Sequence, residues 1–429
     1  MKAIYTSVLC LLAIVFISSC TDKYTEDIRV NVPVYMPYGE LRSGVTKAAP
    51  RELVKPGKIY FKGSYLLVVE HFEGIHFIDV SNPARPQNKT FVEVPGCVDI
   101  AMKDDLLYAD SYVDLVILDV SDINNIREAG RENNLLPYTL PPAENDRLPY
   151  GKVDEDKGVV IGWQEGREKR ELETVYYPYY PEYVMEDNLW SSGVVSPGVG
   201  TGGGSTGKSG SMARFGIYDK YLYLVSGNNQ LHTLNISNPA KPVQEGWIPF
   251  YGAQYETMFI HDKHIFLGTQ GGMVVYSLKV PSVPQLTGQY SHITSCDPVV
   301  VQDSIAYVTL RGGTLCNGGV NRLDVVKMTN DYSAYELVAS YGMGNPYGLG
   351  IDGNVLFVCD GKDGLRIFDA TDYTAITDNP LAHFPEIRTY DVIPVNGYLF
   401  MIGDDGFYLY DYSDIKNIRL IGQIPVAKN

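Results

Sequence analysis

A four-part unit recurs along this chain and limits its fold more than any other feature. Compare YLLVVEHFEGIHFIDVSNPARP from Tyr65, LLYADSYVDLVILDVSDINN from Leu106 and YLYLVSGNNQLHTLNISNPAKP from Tyr221. The same pattern returns in IFLGTQGGMVVYSLKVPSVP from Ile265, VLFVCDGKDGLRIFDATDY from Val355 and YLFMIGDDGFYLYDYSDIKN from Tyr398. Each has an apolar strand, a polar loop, a second strand ending near Asp or Asn, and a Ser/Asn/Pro turn. Asp79 and Asp119 stand 40 residues apart; Asn235–Ser277, Lys327–Asp369 and Asp369–Asp411 are each separated by 42. Degraded units begin at Gly158 and Ile305. The 116 residues between Asp119 and Asn235 hold two periods and an insert of about thirty.

A further strand precedes each pair across a two-residue turn. Examples are Asp104-Asp105, Asp219-Lys220, Asp262-Lys263, Asp352-Gly353 and Asn396-Gly397. Such residues tolerate the positive φ that tight hairpins require. A fourth strand follows, for instance over 418–424. Four antiparallel strands per period predict an all-β protein, a β-propeller whose blades pack radially because none can bury both faces alone. Eight units are counted. The stretches 150–175 and 296–337 depart most from the pattern, which leaves seven blades open.

LVILDVS from Leu115, FIDVSNPARP and LRIFDA resemble the LVIVD repeats of extracellular bacterial propeller proteins. The resemblance runs from about Pro56 to the C-terminus. It implies the fold and carries no general activity.

The chain opens MKAIYTSVLCLLAIVFISSC. Lys2, a short apolar run and small residues before Cys20 read as a secretory signal over 1–19. Ile17-Ser18-Ser19-Cys20 is similar to a lipobox, so Cys20 is the expected lipidation site and 20–50 an expected tether. The propeller is expected over 51–429. The acidic TDKYTED that follows Cys20 resembles a surface-export signal of Gram-negative lipoproteins; a plain solvated tether reads equally well. An outer-membrane location, with the cell surface open, is the expectation. A net charge of −16 argues against nucleic acid as a partner.

Residues 200–211, GTGGGSTGKSGS, contain a literal P-loop pattern ending at Lys208-Ser209. A phosphate-binding loop needs a strand before it and a helix after it. Here a hairpin follows, so no nucleotide is expected. The Tyr-rich and Gly/Ser-rich insert 176–211 reads as a surface excursion, either folded over a blade edge or serving as a lid.

Loops between second and third strands, and connections from outer to inner strands, emerge on one face of a propeller, the face expected to bind. Where each first strand begins, the repeat offers Gly57, Asp99, Tyr150, Arg214, Thr257, Pro298, Tyr347 and Asp391. The fold does not dictate this position, so its chemistry is free to serve a ligand. The loops add Glu70, His71, Asp110, Tyr112 and Trp163, then Arg311, Asp360 and Asp404. Asp297 lies beside Pro298. Carboxylates and aromatics with few bases would suit a cation, a sugar or a basic segment. By contrast, Asp79, Asp119, Asp369 and Asp411 recur at one step of the repeat and read as turn residues.

Reactive signatures are absent. There is no S-x-D-x-G-x-T-W box, no D-x-D-x-D-G calcium loop and no G-x-S-x-G elbow. The seven His are scattered, so neither metal nor cofactor is expected. Cys296 and Cys316 fall at the two ends of a predicted hairpin and are the expected disulfide. The reading is a non-catalytic binding or scaffold protein of the cell envelope, taking a protein or glycan at the propeller mouth. A carbohydrate-active hydrolase or lyase using mouth carboxylates, and a purely structural envelope protein, are its rivals.

Overall fold

The computed structural model describes residues 24–172, 208–226, 230–249, 255–269, 271–291, 298–312 and 320–427. The signal sequence, Cys20, most of the insert, Asp297 and the expected Cys296–Cys316 pair lie outside them. Residues 24–36 with 140–172 form one compact unit; 37–139 with 208–427 form a second.

The second unit holds seven four-stranded antiparallel blades, spanning 56–93, 100–132, 215–249, 255–291, 299–342, 349–384 and 391–425. The first strands of consecutive blades touch one another in a closed cycle, so they line a central channel. The middle strands are apolar on both faces. Tyr221–Ser226, His264–Thr269 and Ile305–Leu310 are buried at every residue. Strands sandwiched between two neighbours read as continuous hydrophobic runs, and these do. Seven apolar clusters result, one in each gap between adjacent blades. The fourth strands face solvent and are largely exposed.

The unit counted from Gly158 is not a blade. Val159–Leu172 pairs with Tyr24–Met36 in a two-stranded ribbon. Its sequence after Trp163 is QEGREKREL, too charged to be sandwiched. Cross-strand ion pairs Arg29–Glu165 (2.5 Å) and Asp27–Arg167 (2.9 Å) support it instead. The expected tether is therefore structured from Tyr24. After the ribbon strand come a helical turn at Tyr38–Leu41 and a strand at Thr46–Ala48, which adds to the outer edge of the first blade. Each blade is built from consecutive strands. The last blade packs on the first through one of the seven clusters, and a Leu53–Val426 backbone bridge joins the seam.

Hairpin turns carry positive φ at Asp104, Asp219, Asp262, Asp303 and Asn396. In the first and sixth blades the turns are Gly63-Ser64 and Gly353-Asn354, flanked by the pairs Lys62–Tyr65 and Asp352–Val355. The sixth-blade turn thus lies one residue beyond the Asp352-Gly353 step that the sequence suggests. Asp79, Asp119, Asp369 and Asp411 each accept both the backbone N–H and the hydroxyl of a Ser or Thr two residues on. They are turn residues. His76 and His232 are buried at matching third-strand positions. Each bridges the end of the second strand and an amide on the fourth.

The described end of the P-loop look-alike is no surface excursion. Lys208–Ser209 is a strand paired with Tyr60 and Phe61 on the channel side of the first blade. Lys208 Nζ donates to the Pro394 carbonyl at 2.6 Å. Ser211 donates its N–H and hydroxyl to Asp391, both at 2.9 Å, and its Oγ accepts the Leu349 N–H at 2.6 Å. The Ala213 carbonyl accepts the Met258 N–H, and the Arg214 N–H reaches Asp99. Residues 208–214 thus run up the channel, touching the first strands of five blades. At Gly210 no side chain fits: a Cβ there would lie 1.8 Å from Asp391 Oδ2. Gly210→Ala should therefore destabilise the protein by about 1–3 kcal/mol. Gly246→Ala, on an open outer strand, should stay within about 0.5 kcal/mol of the parent. Urea denaturation compares the two, and equal effects would refute the channel seat.

Candidate functional site: the channel mouth

The observed turns set the register of the first strands. By that register the position opening each first strand is held by Lys58, Asp99, Arg214, Thr257, Pro298, Gly348 and Asp391. Gly57 and Tyr347 are each displaced by one residue, and such a step turns a side chain to the other face. Tyr150 drops out of the set. It belongs to the ribbon unit, packed on Trp163 with ring centroids 4.5 Å apart, and the Trp163 indole donates to the Pro141 carbonyl. Neither residue sits on a blade.

Three consecutive positions of this ring, Lys58, Asp99 and Arg214, alternate in charge. Lys58 Nζ lies 2.7 Å from Asp99 Oδ2, and both groups are buried. Asp99 Oδ2 also accepts the Arg214 N–H, and Oδ1 accepts the Ile100 N–H at 2.7 Å. Lys58 holds the opening position in place of Gly57 because the first blade turns at Gly63-Ser64. Its visible signal is a Lys opening the apolar strand PGKIYFK.

The other nominated carboxylates are held as firmly. Glu70 is fully buried and accepts the Val54 and Lys55 N–H groups and His76 Nε2. Burial pushes its carboxyl up, but these hydrogen bonds outweigh it and the net shift is downward. Asp110 Oδ1 accepts the Val98 and Asp99 N–H groups at 2.7 and 2.8 Å; burial nevertheless pushes its pKa up to about 6. Asp360 accepts the Gly344 and Asn345 N–H groups and pairs with Arg366 at 3.0 Å. These acids splint loops. His71 is pushed down to about 4, by burial and then by the nearby Lys58 and Arg214 charges, so it is neutral near pH 7.

Two clusters lie on this face. In blades 5 to 7, the Arg311 guanidinium lies 4.3 Å over Tyr347, whose ring meets Tyr390 edge-on at 5.4 Å. The Tyr390 hydroxyl donates to Asp404 at 2.5 Å, and Arg388 flanks that carboxylate at 3.4 Å. In blades 1 to 3, Asp99, Asp110, Tyr112 and Arg214 line one pocket of about 50 Å³, together with Phe72 and Leu136. The Phe72 and Tyr112 rings stack at 6.0 Å and 20°. Both residues have positive φ, 61° and 54°, rare for bulky side chains and costing on the order of 1 kcal/mol each. Gly96 permits the stack, since a Cβ there would lie 2.3 Å from the Tyr112 ring. Phe72 was missed, although it precedes Tyr112 by 40 residues, the Asp79–Asp119 spacing.

Cys97 and Cys359 are buried free thiols, both pushed up by burial. Among the described residues no cluster of acidic, His or Cys side chains could hold a metal ion. No described helix is long and apolar enough to cross a membrane.

These features define a seven-bladed β-propeller whose channel is filled by its own chain. The protein carries LVIVD repeats: the family model matches residues 57–93, 97–133 and 209–247, the first three blades. Comparison with curated proteins gave no significant match. Among solved structures, a protein from Lactobacillus plantarum is similar over 87% of this chain and 97% of its own, at 10% identity and a TM-score of 0.53. A computationally designed protein is similar over 89% and 92%, at 8% identity and 0.50. BamB from Moraxella catarrhalis aligns over 90% and 98%, at 10% identity and 0.47. At such identities the likeness concerns the fold alone.

Asp391 has an electrostatic consequence that stability measurements can read. Its carboxyl is fully buried, and among the described residues Oδ2 has no hydrogen-bond partner. Burial pushes its pKa up to about 8, against the Ser211 hydrogen bonds. An unfolded aspartate titrates near 4, so the folded state holds this proton more tightly. Between about pH 4 and pH 8 unfolding releases it, and the group's contribution to stability falls as pH rises through that window. Asp391→Asn removes the dependence. Relative to the parent, the variant should gain on the order of 3 kcal/mol between pH 5 and pH 8 in urea denaturation. Parallel pH profiles for the two proteins would contradict this account.

Proposed function

We propose that this chain is a non-catalytic binding module of the cell envelope, anchored by a lipid on Cys20 and recognising a partner at its loop face. The observation that carries the reading is the internal employment of the mouth carboxylates. Glu70, Asp99, Asp110, Asp360 and Asp391 all hold backbone groups in place. A glycosidase of the usual kind needs two carboxyl groups facing one cleft, with room for substrate between them. Asp391 is sealed under the channel segment, and Asp99 is saturated by Lys58 and two N–H groups. Of the acids that would serve the hydrolase or lyase reading, Asp99 and Asp391 are therefore spent on structure. What the face offers outward is shape, aromatic rings and a few unspent polar groups, a combination suited to recognition.

The envelope location rests on the leader and the lipobox-like Ile17-Ser18-Ser19-Cys20; the acidic residues behind the Cys support the outer membrane and its outer surface. In-cell crosslinking of the full chain, against a Cys20→Ala form, tests both parts. The expected result is a specific envelope component recovered at least tenfold more from the anchored form. Equal recovery from both forms would remove the anchor from the account. Recovery of nothing specific, with turnover of a glycan substrate, would favour the enzyme.

A further inference from the structure

We infer that the pocket between the loops of blades 1 to 3 is a subsite for one neutral sugar residue of a glycan. This deepens the binding reading above and rests on it. The charge arrangement argues first. Asp99 on the pocket wall is neutralised by Lys58 behind it. That leaves the Arg214 guanidinium and the Asp110 carboxylate on the wall, with no ion pair between them. Among the described residues no side-chain hydrogen bond or ion pair engages Arg214, and none engages the Tyr112 hydroxyl. A cation in the pocket would meet Arg214 with Lys58 behind it. An anion would meet Asp110 and, beside it, Asp99. A sugar hydroxyl can accept from Arg214 or Tyr112 while donating to Asp110, and carries no charge to be repelled.

The walls argue second. Phe72 and Leu136 supply apolar surface for the C–H face of a sugar ring, and the Phe72–Tyr112 stack is held in place by backbone that few residues of this size adopt. Aromatic rings of this kind give contact area with little conformational freedom to lose. The volume argues third. A cavity of about 50 Å³ has room for several water-sized groups, enough to seat the hydroxyl edge of one ring whose remainder projects outward.

The test uses the full chain and an array of immobilised neutral, acidic and amino glycans, followed by titration with the free monosaccharide of the strongest signal. A neutral sugar should bind. Tyr112→Phe should weaken it about fivefold and Arg214→Gln tenfold or more, as expected for a neutral and a charge-assisted hydrogen bond. Tyr112→Phe should leave the melting temperature unchanged, because the hydroxyl has no partner among the described residues. Neutral-sugar binding unaltered in both variants would overturn the placement. Binding of only acidic or only amino sugars would overturn the charge argument. No glycan bound, with a protein recovered by crosslinking, would overturn the sugar subsite and leave the binding module standing. Neither a glycan nor a protein would end both.

Discussion

Every blade is apolar on two faces, and water can be kept from both only if each blade has a neighbour on each side. That constraint makes the ring compulsory. It explains why the middle strands are continuous hydrophobic runs, why the seven clusters sit between blades rather than within them, and why the polar residues are pushed to the loops and the fourth strands. It also sets up the mouth. Seven first strands converging on an axis bring their opening residues together whatever those residues are, and charged ones must find partners at once. Lys58 and Asp99 do so across a blade boundary, and Asp99 also takes the Arg214 N–H of the segment that runs through the channel.

The blade architecture was legible because it is written in a period and in turn chemistry, both local properties of the chain. Asp104, Asp219 and Asn396 mark turns that need positive φ, and the asparagine and aspartates that end the third strands cap their own turns. Local rules misled where two residues could equally make the turn. At Asp352-Gly353-Asn354 the hairpin uses the later pair, and the first blade turns at Gly63-Ser64. These one-residue differences hid Lys58 behind Gly57 and gave Tyr347 a place that belongs to Gly348. The unit at Gly158 misled for a different reason. A charged strand can satisfy the repeat's length without being able to lie between two apolar blades.

The channel segment was opaque to sequence reasoning. Gly and Ser residues in series describe a flexible linker and a tightly packed strand equally well, because the small side chain that frees a backbone in water is also what lets three backbones meet. Which applies depends on partners far away in the chain, and composition carries no information about them. The carboxylates of the mouth raise the same difficulty. Asp99 and Asp391 look like ligands in a list of residues, and the neighbours that occupy them come from other blades.

Those distant partners have a kinetic meaning. Ser211 is bonded to Leu349 and Asp391, 138 and 180 positions further along. A chain emerging from its N-terminus completes this segment long before its seat exists. Repeat arrays commonly fold by local propagation, each unit stabilising the next. Here the segment can pair early with the first and second blades, but its bonds to Leu349, Asp391 and Pro394 wait for the last two, so ring closure and the seating of this segment are completed together. Contacts of such sequence separation slow folding and make it cooperative. Loss of the final blade takes away the seat of Lys208 and Ser211 in the channel as well as one seventh of the wall.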